Sequence, residues 1–112
     1  IPDRVRLLLR APSLPPEMHL VAIAPDDTYA SYTGVWLDEA NRFVVFEPVG
    51  TAAEHRRLGL ASAVMTEGLR RAADRGATHA YVGSEYGSGA NRLYEQLGFT
   101  DTVLQHVWKA PV

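Results

Sequence analysis

The stretch from Leu60 to Arg75 constrains the fold most. Leu60 and Val64 stand four apart, and Ala61, Met65, Gly68 and Ala72 follow an i, i+4, i+7, i+11 stripe, which gives a long helix one apolar face. Gly76 stops that helix, and Arg70, Arg71 and Arg75 crowd its last turns, where cations complement the negative dipole end and form a solvated face. Phe43 to Phe46, continuing toward Val49, reads as a strand ahead of it, and Thr78 to Gly83 reads as a strand after it. Two strands joined through a crossover helix in one sheet are parallel, with a right-handed connection.

Upstream, Leu20 to Ala24 is a short apolar run, Pro25 to Thr28 has turn chemistry, and Tyr29 to Leu37 is rich in aromatic and β-branched residues. That pattern predicts an antiparallel hairpin, with Asp38 to Asn41 as the next turn. Residues 3 to 10 have room for a turn or two of helix. Pro12, Pro15 and Pro16 break it and make Ala11 to Glu17 an extended connector. Downstream, Ala90, Leu93, Tyr94 and Leu97 repeat the helical stripe, Gly98 reads as its C′ glycine with Phe99 as the hydrophobic contact, and Thr102 to Lys109 reads as a last strand. The resulting organisation is α+β, with residues 1–18 as an N-terminal connector and 19–112 as one domain.

A chain of 112 residues buries roughly 65% of the surface its unfolded form exposes, enough for a real core. The formal net charge of −2 supplies no global basic field, which argues against nucleic acid as a partner. The absence of cysteine excludes a disulfide scaffold, a thiolate zinc site and a cysteine nucleophile, and it fits a reducing, cytoplasmic setting. No apolar run approaches the ~20 residues that span a membrane, and Val5 to Leu9 is too short and too interrupted for a signal segment. His19, His55, His79 and His106 show no paired metal spacing. Trp36 and Trp108 read as sheet-packing residues. The chain begins at Ile1, so the reading allows for an upstream part.

Between the third strand and the long helix, Glu47 to Ala61 runs from strand through a basic, glycine-bearing loop into a helix N-terminus. Such an end presents backbone N–H groups without intrahelical partners and the positive end of the dipole, which is the construction of a phosphate cradle. Arg56 and Arg57 add charge at the same place. Neither the P-loop pattern nor G-x-G-x-x-G is present. What stands here is Arg56-x-x-Gly59-x-Ala61, a glycine where backbone meets ligand and a small residue in the first turn.

This motif resembles the pyrophosphate-binding signature of the GNAT superfamily of acyl-CoA N-acyltransferases, (Gln/Arg)-x-x-Gly-x-(Gly/Ala). The stretch Ala90 to Phe99 is similar to a second hallmark, a short helix with a tyrosine four residues before a Gly-Phe pair. The resemblance covers roughly residues 19 to 109. It implies a β-β-β-α-β-α-β core in which the parallel strand pair splays apart to form an acetyl-CoA cleft. It also implies an N-acetyltransferase that moves an acetyl group from acetyl-CoA to a primary amine, on a small molecule or a protein, by direct attack in a ternary complex. The alternative is a non-catalytic acyl-CoA-binding or sensor module of a larger protein; a pure interaction domain is a third reading.

Carried over residue by residue, the resemblance puts Val49, Gly50 and Thr51 along the pantetheine arm, around a distortion near Pro48 to Gly50. Gly50 could equally just end a strand. Arg57, Gly59, Leu60, Ala61 and Ser62 would surround the pyrophosphate, with Arg56 at the signature's first position. Tyr94 matches the general acid that protonates the departing thiolate, although its place on the apolar stripe also suits a plain core tyrosine. Glu47 is the first candidate for the general base. If the strand alternates, it shares a face with Phe43, Val45 and Val49, where a carboxylate needs a partner or a function. A structural carboxylate is the other reading, with Glu54, His55 and Glu85 as fallback bases. Two departures stand out. Gly87 occupies the place of an asparagine often found seven residues before the tyrosine, and only the proline-rich segment precedes the first hairpin, where relatives carry a strand and two helices. A homodimer or a further N-terminal domain would then complete the acceptor side.

Overall fold

The computed structural model describes residues 10–112. The possible helix over residues 3 to 10 lies almost wholly outside them. Four strands form one sheet in the order β1-β2-β3-β4: β1 His19–Ile23, β2 Tyr29–Asp38, β3 Phe43–Thr51 and β4 His79–Val82. Two helices follow the predicted stripes, α1 Leu60–Asp74 and α2 Ala90–Gln96. β1, β2 and β3 pair antiparallel. β3 and β4 run parallel, from Phe43 opposite His79 to Phe46 opposite Val82. There β4 stops, while β3 continues to Thr51, paired among the described residues with β2 alone. The parallel pair is thus open at its carboxyl end, as the splayed mixed sheet requires.

The distortion in β3 lies at Glu47 and Pro48. Thr33 pairs with Val49 and Val35 with Phe46, so two residues of β3 face the single residue Gly34 of β2, a β-bulge. Gly34 is needed there: a Cβ on it would stand 2.8 Å from the Glu47 carbonyl oxygen. That carbonyl also accepts a hydrogen bond from the Trp36 indole at 2.9 Å.

α1 buries Val64, Met65, Gly68 and Ala72 in a core with Leu20, Val35, Leu37, Val44 and Phe46. Gly68 brings the helix close to the sheet, since a Cβ there would lie 2.7 Å from Phe46 and 3.0 Å from Val35. Gly76, at φ +87°, ends the helix, with the Ala77 N–H donating to the Ala72 carbonyl at 3.0 Å. Arg70, Arg71 and Arg75 pair at the surface with Glu67, Asp74, Glu17 and Glu39. No helix among the described residues is long and apolar enough to cross a membrane.

Three expectations give way. The segment read as an extended connector is part of the core: Leu14 and Met18 are fully buried, Pro16–Met18 is a turn of 3₁₀ helix, and Ser13 accepts the Leu37 N–H at 2.7 Å. Prolines prevent an α-helix there but leave the side chains between them free to pack. The last strand, Thr102 to Lys109, does not form: residues 100–112 are exposed and without helix or strand. A strand needs a neighbour to complete its hydrogen bonds, and within the described chain this segment meets none. Trp108 is exposed with it, contrary to its reading as a sheet-packing residue, whereas Trp36 packs against the core.

Candidate active site

The loop between β3 and α1 folds so that its glycine is required. Arg57 at φ +66° and Gly59 at φ +75° are both left-handed. Backbone that alternates in hand turns successive N–H groups into one concavity, the geometry of an anion nest. Nothing lies within 4 Å of a Cβ built on Gly59, so the space above it is open. The first intrahelical bond runs from the Ala63 N–H to the Gly59 carbonyl at 3.0 Å. That leaves the preceding amides without helical partners. No side chain caps this end and no acidic residue sits in its first turn.

Thr51, Arg56, Arg57, Gly59, Leu60, Ala61 and Ser62 line one open cavity of ≈ 220 Å³, together with His55, Leu93 and Gln96. The Arg56 Nε donates to the Thr51 carbonyl at 3.4 Å, which ties the loop back to the end of β3. Among the described residues neither Arg56 nor Arg57 is in an ion pair, unlike the arginines at the far end of α1. Uncapped amides, unpaired guanidiniums and a first turn without carboxylates all favour an anion at this spot.

Val49 and Gly50 sit on the part of β3 beyond the end of β4, half-buried and exposed respectively. Gly50 does not end the strand, which continues through Thr51. Ser31 donates its hydroxyl to the Gly50 carbonyl at 2.9 Å and shares a hydrogen bond with the Thr51 hydroxyl at 3.0 Å. On its other side this length of β3 has no strand neighbour among the described residues.

Tyr94 is half-buried on α2, its ring edge-on to Phe99 with centroids 6.0 Å apart. Burial raises its pKa above the ordinary 10.0, and the negative charge of Glu47 raises it further. The fold therefore brings the tyrosine of the second motif within electrostatic reach of the bulged glutamate. Glu47 itself is exposed, on the face of β3 away from Val44 and Phe46, so it is not a buried structural carboxylate. Alternation places Val44 and Phe46 in the core and Phe43, Val45 and Glu47 on the other face, where Phe43 and Val45 are half-buried; the bulge breaks the pattern only after Glu47. Glu54 and Glu85 are exposed as well, and His55 is half-buried at the cavity wall.

Sequence reasoning missed Leu93 and Gln96 as cavity residues. They lie three apart on α2, and the same stripe that predicted the helix assigned Leu93 to the core. Asn91 is engaged by the Ser84 hydroxyl. Among the described residues no three His, Cys, Asp or Glu side chains gather as metal ligands; His19 bonds the Tyr32 hydroxyl at 2.8 Å and His79 bonds Thr78 at 3.0 Å.

The model of the Acetyltransferase (GNAT) family matches residues 3–99. A search of the curated proteins gave no match. Among solved structures, the chain is similar to an aminoglycoside acetyltransferase from an uncultured soil metagenomic sample, with a TM-score of 0.75 at 24% identity, covering 98% of this chain and 73% of that one. It is also similar to AAC(6')-Iy in complex with a bisubstrate analogue, CoA-S-monomethyl-acetylneamine, with a TM-score of 0.76 at 18% identity, covering 99% and 82%. Nourseothricin acetyltransferase is 31% identical with a TM-score of 0.66, covering 71% of this chain and 48% of its own. The first two likenesses carry the fold alone.

Proposed function

The chain belongs to the GNAT family of acetyltransferases, and from that premise we propose that it is an acetyl-CoA-dependent N-acetyltransferase acting on a primary amine by direct attack in a ternary complex. The observation that carries the proposal is the cavity at the start of α1, where uncapped amides and two unpaired arginines converge. A diphosphate fits this donor set, because it needs N–H donors and positive charge and no carboxylate stands in the first turn to repel it. Arg56, Arg57, Gly59, Leu60, Ala61 and Ser62 would hold it. Val49, Gly50 and Thr51, on the length of β3 that lacks a strand neighbour, would pair with the pantetheine arm as a strand does.

The thioester supplies an activated acetyl group. Tyr94 donates its proton to the departing thiolate, and its raised pKa keeps that proton in place throughout the physiological range. Glu47, exposed where the parallel strands part, accepts the proton of the incoming ammonium. A small-molecule amine is the first candidate acceptor, since similar structures include aminoglycoside acetyltransferases; a protein amine is the second. A cytoplasmic setting belongs to the same proposal, as does a second copy or a further domain on the acceptor side. The exposure of Glu47 favours one rival, an acyl-CoA-binding module without turnover, because an open carboxylate is a weak base.

Thermal shift and calorimetry with acetyl-CoA test the first half: a ligand that binds only the native state raises Tm. Thiol release across an amine panel tests the second. Binding without thiol release from any amine would establish the rival, and no binding would remove both.

A further inference from the structure

We propose that the acceptor is a monocationic amine on an aromatic body, an arylalkylamine, seated on the face of the sheet opposite α1; the proposal rests on the acetyl-transfer reading and narrows it. α1 covers the face that carries Val44 and Phe46. Glu47 stands on the other face, so an amine meets its carboxylate from there.

That face is aromatic. Thr33, Val35, Val44 and Phe46 are fully buried on the α1 side, so alternation puts Tyr32 and Trp36 of β2 and Phe43 and Val45 of β3 opposite them. Trp36 pairs with Val45, and Val45 with Tyr81 of β4, which makes one row across three strands. Tyr81 is 55% exposed and meets Phe43 edge to face at 5.5 Å. Glu47 lies two residues beyond Val45 on the same face, about 7 Å along the strand. An ammonium at Glu47 with a two-carbon spacer therefore lays an aryl ring on the row.

The platform is held in place. The Trp36 indole is fixed by its bond to the Glu47 carbonyl, and His19 Nδ1 bonds the Tyr32 hydroxyl at 2.8 Å with the two rings stacked. The Tyr32 hydroxyl and the Glu47 carbonyl both lie within 3.1 Å of the point a Cβ on Gly34 would occupy, so Tyr32 closes the corner beside Glu47.

Charge selects the same class. The four strands contain no lysine or arginine. Their carboxylates are Asp38 and Glu47: Asp38 is engaged by Asn41 at 2.9 and 3.0 Å, and among the described residues Glu47 is in no ion pair. One open carboxylate beside aromatic faces matches one ammonium, which the ring quadrupoles attract as well. A polycationic amino sugar would leave its further charges unmatched on these strands.

Trp108→Phe, at an exposed position, makes Trp36 the only tryptophan. Titrating that protein with phenethylamine should give a saturable change in Trp36 fluorescence, and neamine should bind at least about tenfold more weakly. In thiol-release kinetics, Tyr81→Ser should raise KM for phenethylamine about tenfold more than KM for ethylamine. A tyrosine that only supports the fold would change both alike. No saturable Trp36 response to phenethylamine, neamine binding as tightly, or equal KM changes in Tyr81→Ser would overturn the proposal. Absence of thiol release from every amine, with the Trp36 response intact, would overturn acetyl transfer and leave the amine site standing.

Discussion

The Phe99 N–H donates to the Tyr94 carbonyl at 3.0 Å while the two rings meet edge to face, and the Gly98 N–H donates to the Glu95 carbonyl at 3.1 Å. This is a Schellman motif with its hydrophobic contact, and it fixes Tyr94 to the end of its own helix. Phe99 in turn packs edge-on against the core residue Phe46 at 6.3 Å. Phe99→Ala should therefore lower kcat through loss of Tyr94 positioning. The stability loss should fall below the ~3–5 kcal/mol of a fully buried phenylalanine, because Phe99 is half-buried. Denaturant melts beside steady-state kinetics read both effects.

Tyr94→Phe removes a proton donor while keeping the ring. The expected loss is ~10²–10⁴ in kcat with little change in affinity for acetyl-CoA. Because burial and Glu47 hold the hydroxyl above its ordinary pKa, the form that donates persists at higher pH than for a free tyrosine. The alkaline limb of the kcat profile should thus lie above pH 10, and Tyr94→Phe should abolish it. A stability loss without a kinetic one would show a purely structural tyrosine.

Gly59 is left-handed with open space around it, so Gly59→Ala meets no neighbour and pays only for its backbone conformation, ~1–2 kcal/mol. Gly59→Glu adds bulk and negative charge over the α1 amides. It should abolish acetyl-CoA binding in calorimetry while the protein stays folded.

Gly68 is the contrasting case. Helix propensity alone would make Gly68→Ala stabilising by ~1 kcal/mol. The new Cβ would stand 2.7 Å from Phe46, 3.0 Å from Val35 and 3.1 Å from Leu20, so overpacking of ~1–3 kcal/mol should match or exceed that gain. Urea melts should show net destabilisation.

Glu67 is hydrogen-bonded by Arg70 and Arg71, which lower its pKa from 4.5 to about 2. A depressed carboxylate stabilises the fold above its unfolded pKa, and that contribution disappears as pH falls through the folded value. The Tm difference between the protein and Glu67→Gln should be greatest near neutral pH, shrink between pH 4.5 and about 2, and fall in high salt, as exposed pairs do.

Much of the candidate site was legible because its signals are local. The stripe from Leu60, the glycine at the start of α1 and the Gly98-Phe99 end of α2 each follow from residues within a turn or two of one another. Glu47 could not be judged this way. Alternation gives its face, but how far that face is covered, and the bulge that begins there opposite Gly34, thirteen positions upstream in another strand, depend on the assembled sheet.

By itself, then, the sequence determined the helices, the direction of the parallel pair and the glycine-bearing, basic turn ahead of α1, since hydrogen-bonding reach and side-chain periodicity are set by neighbours along the chain. Only the tertiary structure decided that Leu14 and Met18 belong to the core, that Leu93 and Gln96 wall the cavity, and that Thr102 to Lys109 finds no partner among the described residues. Burial and strand pairing are relations between distant segments, and they exist only once those segments meet.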